Sequence, residues 1–123
     1  MTLSIVTQEH RYAQLAATLA SRPGVTETAV RKRGLGSKAL CVEGRMFAVL
    51  SSTGQLVVKL EKDRVDALVS AGRGTRFEPF HGRPMHEWFV AELGQEKDWL
   101  ALAEEALAFV RSHPEEHAND GLP

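Results

Sequence analysis

The sequence predicts an α+β fold in which a small antiparallel sheet, a three-stranded meander with one or two further short strands, packs against N-terminal and C-terminal helices. Three observations carry that expectation. Between residues 36 and 60, three apolar or alternating runs rich in β-branched residues are parted by breaks at Glu43-Gly44 and at Ser51-Ser52-Thr53-Gly54, the pattern of consecutive hairpins. Near the two ends, Tyr12, Leu15, Ala16 and Leu19, and again Trp99, Leu102, Ala103, Ala106, Leu107 and Val110, recur at helical spacing, which gives each helix one apolar stripe. The middle run, residues 46–50, is apolar at every position, so that strand needs cover on both faces, from helices or from a second subunit.

Taken in order, the first helix is expected over residues 9–21. Pro23, which lacks the N–H that would continue the ladder, and Gly24, which tolerates the following turn, stop it. Residues 25–32 alternate as a weak first strand, and Gly34-Leu35-Gly36-Ser37 links it to the meander. Beyond the meander, Val65, Leu68 and Val69 predict a short helix over residues 63–71, with Gly72 as its stop. Residues 73–83, punctuated by Gly74, Pro79 and Gly82, read as a loop or an edge strand around Arg76-Phe77-Glu78. Gly82-Arg83-Pro84 is expected to turn, residues 87–91 to form a final short strand, and residues 96–112 the last helix, ended by Pro114. A frayed tail is expected over residues 114–123. Met46, Phe47, Val49, Leu56, Val58, Trp99 and Leu107 are expected in one core.

Composition sets the class. A chain of 123 residues with 43% hydrophobic and 25% charged residues is an ordinary globular domain, large enough for a core of its own. No internal repeat or interdomain linker divides it. Met1-Thr2-Leu3-Ser4 offers no basic start, and no window approaches the roughly eighteen apolar residues of a membrane span, so no membrane association is expected. The single cysteine, Cys41, has no second thiol to pair with and suits a reducing, cytoplasmic location. Net charge is −1, but it is unevenly spread. Residues 1–86 carry thirteen Lys and Arg against seven Asp and Glu, and residues 87–123 carry two against nine. Either the basic body offers a surface to an anionic partner, or the acidic last helix neutralises its own body.

Val42-Glu43-Gly44-Arg45-Met46-Phe47-Ala48, a Lys-bearing strand with a short helix after it, then Phe77-x-x-Phe80 and Gly82-Arg83-Pro84-Met85-x-x-Trp88, together resemble the TfoX N-terminal-domain family, which has the MmcQ/YjbR-like fold. The likeness runs over about residues 8 to 112. It implies a small antiparallel sheet packed with helices, links to competence regulation and, through relatives of the fold, DNA binding. The likeness extends to the first domain of such proteins, whose full-length members add a second, helical one.

No set of side chains assembles into a catalytic arrangement, a metal site or a cofactor cradle in the sequence, so no catalytic residue, no metal and no cofactor are expected. His113 and His117 are four apart but separated by Pro114, and His81 and His86 flank a turn without a cysteine nearby. Cys41 lies between Leu40 and Val42 and reads as a packing residue. Two groups remain as candidate sites. Arg31-Lys32-Arg33, with Lys38 and Arg45, has only Glu43 against it. If the first strand lies beside the hairpin, these cations either meet nucleic-acid phosphates or guard an exposed sheet edge. Arg83 on the Gly82-Arg83-Pro84 turn, with Trp88, either holds a carboxylate or phosphate, or belongs to a turn whose Trp caps the core. The function expected is a non-enzymatic binding or regulatory module whose basic edge contacts nucleic acid or an acidic protein. The alternative is a protein-interaction domain that self-associates, as a homodimer, without nucleic acid.

Overall fold

Val42-Glu43-Gly44-Arg45 makes a two-residue turn between strands, with Glu43 at φ 51° and Gly44 at φ 83°. A two-residue loop with both residues in the left-handed region has the twist that the flanking strands need. The computed structural model describes residues 5–29, 38–80, 83–92, 94 and 96–113. Its elements are α1 (Ile5–Leu19), β1 (Val25–Ala29), β2 (Lys38–Val42), β3 (Arg45–Leu50), β4 (Leu56–Lys59), α2 (Lys62–Ser70), β5 (Gly74–Phe80), β6 (Arg83–Ala91), a 3₁₀ turn (Glu96–Asp98) and α3 (Trp99–Ser112). The strands form one antiparallel sheet in the order β1-β2-β3-β4-β6-β5.

The α+β class is as expected, but the sheet has six strands where the sequence predicts four or five. Residues 74–80 are a full strand at the sheet edge, and the last strand begins at Arg83, so Pro84 lies within a strand rather than in a turn. Proline is admitted because β5, its neighbour on one side, pairs with β6 irregularly between Phe77 and Phe80. Gly74 has a separate reason to be glycine. A Cβ there would stand 2.0 Å from the Val90 carbonyl oxygen and 2.6 Å from the Phe89 ring, so the close approach of β5 to β6 excludes any side chain. The first helix also starts and stops earlier than predicted, and the tail beyond residue 113 lies outside the described residues.

The helices share one face. Tyr12, Leu15, Ala16 and Leu19 of α1, Val65 and Leu68 of α2, and the predicted stripe of α3 all pack with Leu40, Val42, Ala48, Leu50, Leu56, Val58 and Phe89 of the sheet. Tyr12 reaches through this layer to donate to the Ala48 carbonyl at 3.4 Å, and burial pushes its phenol well above its ordinary pKa. Ala39, Cys41, Val49, Val57, Phe77 and Trp88 form a second buried cluster on the other face, with Met46 and Val90 half-buried against it. The single expected core is therefore two. The register of β2 against β3 jumps from Leu40↔Ala48 to Cys41↔Met46, which leaves Phe47 as the extra residue of a bulge. That bulge sends Phe47 and Ala48 to the helices, and Met46 and Val49 to the opposite side.

Candidate functional site

β1 pairs with β2 from Val25↔Val42 to Ala29↔Lys38, so the first strand does lie beside the meander hairpin. The residues that flank the predicted basic cluster, Ala29 and Lys38, are register partners at one end of this pair. Arg31, Lys32 and Arg33 themselves lie outside the described residues, as does the side chain of Lys38. Arg45 opens β3 opposite Val42, at the other end of β2 and about 13 Å of strand from Lys38. The backbone thus separates Arg45 from Lys38 instead of setting them side by side. Arg45 is half-buried, its Nη1 donates to the Glu43 carbonyl over a long 3.4 Å, and its buried Nε has no hydrogen-bond partner.

The second predicted pair is likewise separated. Arg83 stands opposite Phe80 near the tip of the β5–β6 hairpin, with its side chain outside the described residues, whereas Trp88 stands opposite Lys59. Trp88 is 1% exposed, and its Nε1–H has no hydrogen-bond partner. The cation beside it is Lys59, whose Nζ lies 5.7 Å from the Trp88 ring centroid and 3.4 Å from Glu87 Oε1. An ammonium over an indole face with a carboxylate in reach offsets part of the cost of burying a charge. The sequence reading passes over Lys59 because it alternates with Leu56, Val58 and Leu60, which marks it as outward-facing on a one-sided sheet. The apolar middle strand is the signal that the second face is closed as well.

The acidic last helix is tied to the rest of the domain. Glu104 pairs with Arg22 beyond α1, Glu105 accepts from Arg64 of α2 at 2.9 Å, and Asp98 pairs with Arg73 at 3.2 Å. Arg111 returns the link, donating to the Pro23 carbonyl at 2.6 Å. On α2, Asp66 accepts from Arg76 and lies 3.5 Å from Lys62. The Arg76 hydrogen bond holds its carboxyl below the usual range. Each pair is partly exposed and screened by solvent, so it adds little to stability. Gln8, absent from the predicted stripe, is buried and donates to the Gly54 carbonyl at 3.1 Å and to Glu96 at 2.9 Å. Burial pushes the Glu96 carboxyl up, but the hydrogen bonds from Gly94 and Gln8 outweigh it, and the net shift is downward.

Among the described residues no three His, Cys, Asp or Glu side chains gather as metal ligands. Burial raises the Cys41 thiol, which disfavours the thiolate that a nucleophile needs. His86 is exposed, and His113 shares a hydrogen bond with the Phe109 carbonyl at 2.9 Å, its ring 5.0 Å from the Phe109 ring. His81 and His117 lie outside the described residues. No described helix is long and apolar enough to cross a membrane. Comparison with models of protein families, with curated proteins and with solved structures finds no match.

Proposed function

We propose that this domain is a non-enzymatic binding module that meets an anionic partner, nucleic acid first among them, through the basic segment from Arg31 to Arg45. The supporting observation is how its charges are spent. Arg22, Lys59, Arg64 and Arg73 pair with Glu104, Glu87, Glu105 and Asp98 of the acidic C-terminal part, while Lys62 and Arg76 share Asp66 of α2. Residues 31–45 hold five cations against one carboxylate, and Arg45 meets a carbonyl instead of an acid. A segment with that surplus of cations along the chain is one that can displace counterions from a phosphate backbone. The same reading fits the TfoX-like residues around the Glu43-Gly44 hairpin, and a cytoplasmic setting suits the free thiol of Cys41. Self-association through an apolar sheet face is less well supported, because most apolar residues of both faces are buried within the single chain and Met46 and Val90 are half-buried.

Fluorescence anisotropy with a labelled duplex at low salt tests the proposal. Binding is expected to fall linearly in log affinity with log salt. Changing Arg31, Lys32 and Arg33 together to Ala should weaken it for all sequences alike and flatten the slope by about three contacts' worth. No binding at tens of micromolar, or binding unmoved by the triple substitution, would leave the cluster as protection of the β1 edge.

A further inference from the structure

A half-open cleft of about 240 Å³ lies between α2, α3 and β6, on the helix side of the sheet. Its apolar floor is Leu68, Phe89, Ala91 and Leu102, and small side chains at Ala67 and Ala71 leave the room. Two guanidinium groups, Arg64 and Arg73, and the carboxylate of Asp98 also line it, and all three are partly exposed. We infer that this cleft binds a small amphipathic monocarboxylate, an acid whose body is a single ring or a short branched chain.

The size of the cleft and the donor geometry of Arg64 point to that class. An apolar cavity of about 150 Å³ already admits benzene, so this one has space for a ring and a short acid arm. The Arg64 bond to Glu105 is made through Nε, and its terminal N–H groups can receive a carboxylate in the two-pronged geometry that guanidinium favours. The contacts from Arg64 to Glu105 and from Arg73 to Asp98 are solvent-exposed pairs, the weak kind that an incoming carboxylate exchanges at little cost. Arg64 and Leu68 lie four apart on α2 and so share one face of the helix, with the charge at the mouth and the apolar side chain below it.

Phenylacetate, titrated into the whole domain and followed by its backbone amide NMR signals, is the probe. Saturable shifts confined to α2, β6 and the start of α3 are expected. Affinity should be about tenfold weaker for the uncharged phenylacetamide, and again for Arg64→Gln, because one charge-assisted interaction is lost in each case. Ala67→Leu, at an exposed helical position that tolerates leucine, should fill the cleft and abolish binding while distant signals stay in place, and Ala71→Leu is a second variant of the same kind. Failure to saturate by about 10 mM, a weak limit for any specific site, would overturn the inference. Equal affinity for acid and amide, or full binding by both leucine variants, would also overturn it.

Discussion

The two faces of this sheet are both buried, but by different means. The helix face is closed by regular amphipathic elements, with an apolar core at its centre and cross-element ion pairs at its margin. The other face holds a smaller cluster that includes a thiol, an indole with an unpartnered N–H, and next to it the buried ammonium of Lys59. The first is the economical way to bury a strand surface, because the side chains taken from water there are apolar apart from Gln8 and the Tyr12 hydroxyl. The second carries polar atoms that cost free energy to bury. On that ground the helix face carries most of the stability.

The largest expected effect tests the helix face. Phe47→Ala removes a ring with no exposed surface from the core and should cost about 3–5 kcal/mol in urea unfolding. A loss below about 1 kcal/mol would mean that the bulge does not send Phe47 inward.

On the other face, Lys59→Met keeps the length of the side chain and removes its charge, leaving a Glu87 that already reaches solvent. Exchange of a buried charge for an apolar side chain is often neutral or stabilising by about 1–4 kcal/mol, and the same unfolding experiment should show no loss. A loss above about 3 kcal/mol would show that the ammonium is part of what holds this face together.

Glu96 gives a smaller, pH-dependent effect. Its folded carboxyl is shifted downward, so its contribution is present above the unfolded carboxylate range, near about 4.3, and is lost as pH falls through the lower folded value. Glu96→Gln keeps an oxygen that can accept from Gly94. Its stability should therefore trail the parent near neutrality and converge with it in acid. A gap that is constant with pH would assign the effect to packing instead.

The smallest effect is at the margin. A double-mutant cycle on Arg22 and Glu104 should give a coupling of about 0.2–1 kcal/mol that shrinks as salt rises. A larger, salt-resistant coupling would make the ion pairs structural fasteners and not surface trim.

The helix face was legible in the sequence because its elements follow the helical period: Tyr12, Leu15, Ala16 and Leu19, and all six predicted residues of α3, are buried. Two of its details were not. Gln8 is polar and broke the expected stripe, yet it is buried through hydrogen bonds to Gly54 and Glu96, which are 46 and 88 residues away in sequence. The bulge at Phe47 depends on β2–β3 register, which alternation within one strand does not specify. On the second face, the uniform apolarity of β3 announced burial, but Lys59 could be placed only once Trp88 was known to be its neighbour. The candidate cations were legible as a cluster along the chain, whereas their spacing was not. That Lys38 and Arg45 stand at opposite ends of β2 follows from strand pairing, not composition.

Sedimentation velocity of the protein alone, from low salt to several hundred millimolar, tests most directly the claim that both sheet faces are closed within one chain. Exposed ion pairs are screened over that range while apolar contacts persist. A monomer is expected at high salt. A dimer that persists at high salt and is dissociated by a charged substitution at Val57 or Val49 would contradict it, by showing that the second face is an interface between copies.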